Sequence, residues 1–219
     1  MLSAVFWGAL FLPQANSRLY IGVDNSTRSS LRQQLRSKRR QLSPSQQQQA
    51  AHNLDQIIAR SGLLQRHTHI AFYMSSDGEI NPEKILLRAH KQGRQCYLPI
   101  ITSSNRLQFV RYRPGDKLIR NRFGIAEPAN RKKHRKAWSL SMVLLPLVGF
   151  DRQGGRLGMG GGFYDRCFQS ITQIPAMAHP RLVGLAHHCQ EVPLLTLEEW
   201  DIPVSVIATG REFINAKPS

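Results

Sequence analysis

The sequence predicts one α/β domain with a central, mostly parallel sheet, covered by helices on both faces to give three layers. Short apolar runs typical of buried strands recur along the chain, for example at residues 69–74, 95–101 and 140–150. Segments with helical spacing lie between them, and strand–helix–strand is the unit of a parallel sheet. The 219 residues are enough for one such domain and few for two.

Two helices are predicted ahead of the first strand. Ser26 or Thr27 is placed to cap the first helix, which begins near Arg28 and carries a basic face without acids. The second helix begins at Ser43-Pro44, because serine is a favoured cap and proline is tolerated at the first helical position. The basic face is open to three interpretations: a solvated surface, a phosphate contact or a nucleic-acid contact.

Residues 69–101 are predicted to form two strands around a helix that Asn81-Pro82 opens. Glu79 then lies just beyond the carboxyl end of the first strand, where open α/β sheets bind their ligands. The alternative is an exposed acid near a helix start, which the helix dipole favours.

Three further segments are assigned from their composition. Residues 107–112 alternate in polarity and are predicted to form an additional strand. Residues 122–128 are predicted to be a short link punctuated by glycine and proline. The basic run 131–136 is predicted to be a solvated loop without a catalytic role.

The end of the chain is predicted to contain a strand at residues 182–186, a short helix at 194–200 and a last strand at 204–209. Asp201 precedes that last strand, and its carboxylate is either part of the phosphate site or a turn residue. The neighbouring side chains in 187–189, two histidines and a cysteine, point in different directions and lack ligand spacing. We therefore predict no metal site at that position.

A glycine-rich loop organises the chain. It follows the apolar run at 140–150, contains four glycines within residues 158–162, and leads into a helix that begins near Phe163. Glycines allow close backbone approach, and a helix N-terminus presents free N–H groups and positive potential, which together suit phosphate. Arg156 adds a permanent positive charge, and the Asp165 carboxylate suits magnesium. The loop is not a Walker A motif, so a tight strand-to-helix turn remains the alternative.

The composition points to anionic partners. The formal net charge is +16, from 30 lysines and arginines against 14 acids, which suits nucleic acid or small molecules rich in phosphate or carboxylate. Three widely spaced cysteines form neither a disulfide framework nor a zinc pattern, which favours the cytoplasm. Residues 1–25 are interpreted as an extension, disordered or due to a mis-set start, before a domain at 26–219. Their apolar part is too short to span a membrane.

Several motifs occur in the order found in one enzyme family. They are Arg28 and Arg32 four residues apart, SDGEI at 76–80, YLP at 97–99, GIAEP at 124–128, RLGMGGGFYD at 156–165 and EWDIP at 199–203. Over residues 28–209 the chain resembles the 5-formyltetrahydrofolate cyclo-ligases, also called methenyltetrahydrofolate synthetases. The resemblance implies a fold like that of the sugar-isomerase and CoA-transferase group. It also implies an enzyme that converts 5-formyltetrahydrofolate to 5,10-methenyltetrahydrofolate with ATP and Mg²⁺, releasing ADP and phosphate.

The resemblance also implies roles for individual residues. Arg156 and Asp165 are expected to be catalytic, Asp165 and Asp201 to bind magnesium, and Met74 and Glu79 to bind the folate. The residues expected to contact ATP are Arg28, Arg32, Arg156, Leu157, Gly158, Met159, Gly160, Gly161, Gly162, Phe163 and Tyr164. The folate is expected to touch Met159, Gly160, Gly161, Gly162 and Phe163 as well. Many family members have lysine at position 161, tyrosine at 163 and aspartate at 205, where this chain has Gly161, Phe163 and Ser205.

The expected partners are ATP and 5-formyltetrahydrofolate, with or without a polyglutamate tail, bound by a cytoplasmic monomer. The rival hypothesis is an RNA-binding protein on an inactive scaffold of the same fold, which the net charge of +16 motivates. An inactive scaffold need not keep the arginines and carboxylates of the site together. All of them are present, which favours the enzyme.

Overall fold

The computed structural model describes residues 25–169 and 180–216. The α-helices in this part of the chain are α1 (Asn25–Arg40), α2 (Pro44–Arg60), α3 (Leu63–Arg66), α4 (Glu83–Lys91) and α5 (Phe163–Gln169). The strands are β1 (His69–Ala71), β2 (Gln95–Ile101), β3 (Leu107–Arg111), β4 (Leu118–Arg120), β5 (Ala126–Pro128), β6 (His134–Arg135), β7 (Met142–Pro146), β8 (Gly149–Phe150), β9 (Arg156–Leu157), β10 (Arg181–Leu185), β11 (Val206–Ala208) and β12 (Phe213–Asn215).

The main sheet has the strand order β12-β11-β10-β7-β1-β2-β3-β6. The strands from β11 to β2 pair in parallel, whereas β12, β3 and β6 are antiparallel additions at the edges. Chain order reverses between the neighbours β1 and β7, so their loops leave in opposite directions and open a crevice beyond their carboxyl ends. The predicted α/β fold with a mostly parallel sheet is therefore confirmed.

Apolar layers cover both faces of the sheet. On one face α2 and α4 bury Leu54 and Ile85 against strand residues such as Leu144. On the other face Phe168 of α5 packs in a second cluster with Phe150. Each cluster removes a large apolar area from water, which is the main source of stability for a three-layer fold.

The start of α2 shows why its local prediction succeeds. The Ser43 Oγ accepts a hydrogen bond from the Gln46 backbone N–H at 3.2 Å, and the Gln46 side chain accepts one from the Ser43 N–H at 2.8 Å. This reciprocal capping box satisfies two donors that the helix leaves free. The predicted start at Ser43-Pro44 is confirmed. Helix α1 begins at Asn25, three residues before the predicted start.

Two segments predicted as loops contain short strands. Residues 122–128 were expected to be a link, but Ala126–Pro128 pairs with Leu118–Arg120 as the β4–β5 hairpin. The basic run at 131–136 was expected to be a solvated loop, but His134–Arg135 pairs with β3 at the edge of the main sheet. Both pairings depend on partners elsewhere in the fold, which local composition does not reveal.

The predicted helix at residues 194–200 is wrong, because this segment forms no helix and contains only a single turn at its end, closed by the bond from the Asp201 N–H to the Glu198 carbonyl at 2.9 Å. Of its apolar residues, Leu195 is buried, whereas Leu194 and Trp200 are exposed by 68% and 56%. The Leu195 backbone N–H donates to the buried Asp151 carboxylate at 2.9 Å, a bond that fixes an extended path. The last strand, β12, was not predicted, because its three residues carry no periodic signal.

The proposed extension at residues 1–25 lies outside the described residues, apart from Asn25. Within the described part of the chain, no helix is both long enough and apolar enough to span a membrane.

Candidate active site

A cleft of about 900 Å³ lies at the carboxyl end of the parallel strands, where β1 and β7 diverge. Its walls come from α1, the loop after β1, the end of β2, the β4–β5 hairpin, the glycine loop and the segment before β11. Parts of the chain as distant as Arg28 and Asp201 therefore face one volume. A crevice at a topological switch point is the usual ligand site of an open α/β sheet.

The glycine loop leaves the β8–β9 hairpin, which the buried Asp151 shapes. One Asp151 carboxylate oxygen accepts hydrogen bonds from the Gln153 and Gly155 N–H groups, at 2.9 and 2.8 Å. The loop then passes through positive φ at Gly160 (93°) and Gly162 (60°) and enters α5 at Phe163. Positive φ strains residues with a Cβ, so glycine at these positions sets the path of the loop.

Helix α1 holds the glycine loop through its arginine face. The Arg32 Nε donates a hydrogen bond to the Gly158 carbonyl at 3.0 Å. One turn earlier, the buried Arg28 pairs with the Asp201 carboxylate at 2.8 Å and donates to the Thr196 carbonyl at 3.2 Å. Burial and the neighbouring Arg28 lower the pKa of Arg32, against the opposite effect of Asp201. The predicted phosphate-binding arginines thus lie together at one end of the cleft.

A second arginine–carboxylate pair stands at the start of α5. The buried Arg156 contacts the Asp165 carboxylate through a short ion pair and donates from Nε to the Ile202 carbonyl at 2.6 Å. The Ile202 N–H in turn lies 3.4 Å from the same Asp165 oxygen. Both carboxylates predicted to bind metal are therefore paired with arginines predicted to bind phosphate.

Glu79 projects from the loop after β1. Its carboxylate accepts a hydrogen bond from the Ser76 backbone N–H at 3.0 Å, and the Ser76 Oγ lies at 3.4 Å. Burial raises the pKa of Glu79, and the bonds from Ser76 only partly oppose this shift. Met74 lines the cleft on the same loop. Glu79 is thus a hydrogen-bond acceptor whose orientation is fixed by Ser76, and it lies beside an apolar surface.

A cluster of arginines around Asp77 supports that loop. Arg36, Arg39 and Arg40 of α1 all pair with the Asp77 carboxylate. Burial alone would raise the pKa of Asp77, but hydrogen bonds from these three guanidinium groups lower it to about 2. The loop with Glu79 is thereby fixed to the helix that carries Arg28 and Arg32.

The opposite wall is mainly apolar. It contains the exposed ring of Phe123 on the β4–β5 hairpin, whose centroid lies 6.1 Å from that of Phe163 in an edge contact. The buried carboxylate of Glu127 accepts from the Ile101 N–H at 2.9 Å and from the Asn121 side chain at 2.7 Å. These bonds hold the hairpin against the end of β2. A planar organic ligand therefore has a preformed wall on this side of the cleft.

The comparison with known proteins identifies the family. The profile of the 5-formyltetrahydrofolate cyclo-ligase family matches residues 24–210. The chain belongs to the 5-formyltetrahydrofolate cyclo-ligase family. It is therefore an enzyme of the ligase class associated with folate one-carbon metabolism, and the predicted family is confirmed. The rival hypothesis of an RNA-binding protein on an inactive scaffold is not supported.

Individual relatives agree along most of the chain. The 5-formyltetrahydrofolate cyclo-ligase of Escherichia coli K12 is 36% identical over 179 residues, which cover 80% of this chain and 96% of that protein. The Haemophilus influenzae cyclo-ligase is 35% identical over 191 residues, which cover 86% of this chain and 100% of the H. influenzae protein. The solved structure of Aquifex aeolicus 5,10-methenyltetrahydrofolate synthetase superposes with a TM-score of 0.74 at 25% identity. The aligned region covers 88% of this chain and 94% of the A. aeolicus chain.

Within this cyclo-ligase fold, the structure brings nearly all of the predicted site residues to the one cleft. These are Arg28, Arg32, Met74, Glu79, Arg156, Gly158, Met159, Gly160, Gly161, Gly162, Phe163, Tyr164, Asp165 and Asp201. Leu157 is placed differently. Its side chain is buried with Leu35 and Val148 beneath the loop, and its carbonyl accepts from the Val148 N–H at 2.8 Å, so Leu157 does not line the cleft.

Several cleft residues were not predicted. Arg36 lies one turn beyond Arg32 on the same helix face, and the helical period was the signal that could have indicated it. Phe123, Glu127 and Trp200 also line the cleft. Glu127 and Trp200 belong to motifs that carried the family resemblance, and Phe123 directly precedes one of them. The spacing of these residues alone gave no reason to place them beside the glycine loop.

The donor set of Asp165 and Asp201 fits a magnesium ion in chemical type. Both side chains are carboxylates that line the cleft beside the glycine loop, and magnesium prefers hard oxygen ligands, shared with substrate phosphates and water. A second group of potential ligands, His188, Glu191 and Glu212, lies away from the cleft. Arg152 already pairs with both of those glutamates at 2.7 Å, so part of their charge is neutralised.

Proposed function

We propose that this cyclo-ligase family member couples ATP to the closure of 5-formyltetrahydrofolate, forming 5,10-methenyltetrahydrofolate, ADP and phosphate. One observation carries the proposal. A single cleft collects a glycine loop at a helix start, three buried or partly buried arginines, two carboxylates and a held acceptor beside an apolar wall. The glycine loop and arginines suit a triphosphate, and the acceptor with the wall suits a planar heterocycle.

In this reaction the formyl oxygen of the folate attacks the γ-phosphorus of ATP, and the bond to the ADP oxygen breaks. N10 of the folate then attacks the activated formyl carbon and closes the ring. Phosphate departs with the former formyl oxygen, and N10 loses its proton. Negative charge on the phosphoryl oxygens must be stabilised in the first step, whereas the second step needs the two nitrogens held close together.

The first requirement is assigned to the arginines and the loop. Arg28 and Arg32 face the cleft from α1, and Arg156 faces it from β9, so positive charge surrounds the place where a triphosphate lies on the glycine loop. Loop N–H groups add donors without a side chain in the way. Because Gly161 supplies no cation of its own, we assign a larger share of the charge neutralisation in this chain to these three arginines and the loop N–H groups.

The second requirement is assigned to Glu79, Met74 and the apolar wall. Glu79 offers an acceptor for the N–H groups of the pterin ring, and Met74 lies beside it on the same loop. Phe123 and Phe163 form an aromatic edge on the other side. Such a site orients N10 toward the formyl carbon and limits water, which would hydrolyse the phosphorylated intermediate.

We assign the magnesium site to Asp165 and Asp201. When bound there, the ion would neutralise phosphate charge and act as a Lewis acid at the transferred group. In this structure Arg156 contacts Asp165 through Oδ1, and Arg28 contacts Asp201 through Oδ2. Each carboxylate would therefore share its charge between an arginine and the ion, and more of each arginine's charge would become available to a phosphate oxygen.

The experiment that tests the proposed function is an absorbance assay. Purified protein receives monoglutamyl 5-formyltetrahydrofolate and magnesium, with or without ATP. Near-ultraviolet absorbance should grow only with ATP, because the methenyl product extends its conjugation across the new ring and the substrate does not. A folded protein that produces no ATP-dependent rise under these conditions would contradict the proposal.

The compartment and assembly follow as part of the proposal. The described cysteines Cys96, Cys167 and Cys189 are free thiols, which suits the reducing cytoplasm. We propose that the protein is a cytoplasmic monomer. Sedimentation at the concentration used for the assay would test this, with a dimer as the contrary result.

A further inference from the structure

A third arginine of α1, Arg36, lines the active-site cleft together with Arg28 and Arg32. It lies four residues beyond Arg32 and eight beyond Arg28, so the three side chains leave the helix on one face. Each step of four residues advances about 6 Å along the helix axis. The three arginines therefore form a row along one wall of the cleft, and Arg36 is the last member of this row.

The neighbours of Arg36 show which part of the cleft it faces. Arg32, one turn earlier, holds the glycine loop through the Gly158 carbonyl at 3.0 Å. The Arg36 Nε donates a hydrogen bond to the Asp77 Oδ2 at 2.8 Å, and Asp77 precedes Glu79 by two residues. Arg36 thus stands between the loop assigned to the triphosphate and the loop assigned to the folate. The formyl oxygen and the γ-phosphorus must meet between those two loops.

The charges around Asp77 leave Arg36 available to a ligand. One carboxylate is shared there by three guanidinium groups, those of Arg36, Arg39 and Arg40. Arg39 is fully buried, and Arg40 is exposed and lies outside the cleft lining, so Arg36 is the member that brings surplus positive charge into the cleft. By contrast, the two arginines that pair with the candidate metal ligands each have a carboxylate of their own.

The guanidinium of Arg36 also has unused donors. Among the contacts of the described residues, its side chain makes one hydrogen bond, from Nε to Asp77, which leaves both Nη groups for a ligand. The side chain is 34% exposed at the cleft wall, so a ligand can reach it. A planar guanidinium matches the spacing of two oxygens on a phosphoryl group, and the bond to Asp77 holds that plane in position.

We propose that Arg36 is a further catalytic residue, which contacts the formyl oxygen and the transferred phosphoryl group while they react. This inference rests on the proposed function. In the first step the bond between the formyl oxygen and the γ-phosphorus forms, and ADP leaves with the electron pair of the bond that breaks. In the second step the formyl carbon–oxygen bond breaks, and phosphate takes that electron pair. Arg36 keeps its protons throughout and stabilises the charged oxygens by hydrogen bonds.

The test compares kcat and KM for wild type and Arg36 variants, with monoglutamyl 5-formyltetrahydrofolate, magnesium and ATP. Arg36→Met should lower kcat by about a hundredfold and change the KM of either substrate by less than about threefold, because the interaction strengthens as charge shifts during the reaction. Arg36→Lys keeps the charge but lacks the planar fork, so its kcat should lie between those of wild type and Arg36→Met.

Chemical rescue separates a direct contact from support of the loop. Guanidinium ion at millimolar concentration should raise the kcat of Arg36→Ala about tenfold, because the free cation can occupy the space of the missing side chain and donate the same hydrogen bonds. The same addition should leave the kcat of wild type unchanged. A residue that only supports the loop would show no such recovery.

Arg40→Met is the matched control, because Arg40 pairs with the same carboxylate from an exposed position outside the cleft lining. It changes the net charge by the same amount and should retain the wild-type kcat, since Asp77 keeps its bonds to Arg36 and Arg39. Circular dichroism and thermal unfolding of each variant confirm folding, so that a lower kcat reports the missing guanidinium in the cleft.

The outcomes are distinct. If wild type forms the methenyl product and Arg36→Met retains its kcat, the inference is overturned while the proposed function stands. A rise in the KM for ATP alone would make Arg36 a binding residue and also overturn it. Equal losses of kcat in Arg36→Met and Arg40→Met, or no response of Arg36→Ala to guanidinium, would assign the effect to support of the Asp77 loop. If wild type forms no product, the proposed function itself fails.

Discussion

The Arg39 Nη2 lies 2.7 Å from the Asp77 Oδ2, and the Arg39 side chain is fully buried. The same guanidinium donates to the Asp77 carbonyl at 2.8 Å and to the Leu147 carbonyl at 3.3 Å. One side chain of α1 thereby joins the loop that carries Glu79 to the end of β7. Asp77 itself adopts a left-handed φ of 52°, which the surrounding hydrogen bonds stabilise.

Arg39→Leu should therefore disturb both stability and substrate binding. It removes one of the three guanidinium partners of the Asp77 carboxylate, the side-chain donor to the Asp77 carbonyl and one of two donors to the Leu147 carbonyl. Because the lost side chain is fully buried, the free energy of unfolding should fall by about 3 kcal/mol. The loop with Glu79 loses its support, so the KM for the folate should rise. Arg40→Leu is the control, because Arg40 pairs with the same carboxylate from an exposed position and should cost about 1 kcal/mol or less. Equal losses in urea unfolding would show that burial of Arg39 has no special effect.

The pairing of Arg28 with Asp201 predicts that removing the arginine charge strengthens metal binding. Arg28 holds Asp201 at 2.8 Å, and both side chains are nearly buried. Without ATP the arginine competes with a divalent cation for that carboxylate. Arg28→Met should therefore increase the affinity for Mn²⁺, measured by electron paramagnetic resonance without ATP, on the order of tenfold. The affinity for ATP should fall in the same variant.

Arg36→Met is the control for that measurement. Arg36 lies on the same face of α1 and lines the cleft, but it pairs with Asp77. Its removal changes the net charge equally and should leave Mn²⁺ affinity close to that of wild type. An increase of similar size in both variants would point to a general field effect, and an unchanged affinity in Arg28→Met would remove Asp201 from the proposed metal site.

Gly158 and Gly154 allow a ligand-binding role of glycine near the loop to be tested separately from a structural one. A Cβ built at Gly158 would meet no atom within 4 Å, and its φ is not in the left-handed region. A Cβ at Gly154 would lie 2.5 Å from the Val204 carbonyl oxygen, with φ at 96°. Gly158→Ala should leave the melting temperature near that of wild type and raise the KM for ATP. Gly154→Ala should lower the free energy of unfolding by about 2 kcal/mol.

This pair decides between the two interpretations of the loop that its sequence leaves open. If the loop is only a turn between strand and helix, a methyl group at Gly158 finds open space and changes nothing. If the loop holds ATP, the methyl group enters the space of the phosphates. Thermal unfolding and ATP titration of the two variants, side by side, supply the answer.

The sequence predicted the features that local chemistry determines. The start of α2 is encoded locally by Ser43-Pro44, and the apolar run of β2 is continuous. The predicted start of α2 and the predicted bounds of β2 therefore agree with the structure. Strand β6 has only two residues and exists because β3 lies beside it. Such an element has no local signal, since its hydrogen bonds go to a partner more than twenty residues away along the chain.

The site shows the same division. Arg156, Asp165 and the glycines stand within ten residues, and the chemistry of that stretch could be inferred directly. The cluster around Asp77 could not, because its arginines are 37 to 41 residues away along the chain and meet it only in the folded structure. The pairing of Arg28 with Asp201 depends equally on the whole fold. Residue types indicated a phosphate site, and the family resemblance implied the reaction. The tertiary structure decides which charges neutralise one another before substrates arrive.

The buried carboxylate of Glu79 should lower the stability of the protein at neutral pH while it favours folate binding. Because burial raises the pKa of Glu79, the folded protein holds its proton more tightly than the unfolded chain does. The free energy of unfolding therefore loses a contribution as pH rises from the ordinary carboxyl range through the raised pKa. Glu79→Gln has no charge to bury and can still accept from the Ser76 N–H. It should be more stable than wild type above that range, and the difference should vanish at lower pH.

The same substitution should damage the reaction, because a neutral amide is a weaker acceptor for the pterin N–H groups than a carboxylate. The KM for 5-formyltetrahydrofolate should rise at least about tenfold at neutral pH, while the affinity for ATP changes little. Glu83→Gln, an exposed acid four residues further on, serves as control for both measurements. A Glu79→Gln protein that is less stable than wild type at neutral pH would show that the carboxylate is favourably placed without substrate. In that case its charge would be a structural requirement, and the proposed conflict between stability and folate binding at this residue would be wrong.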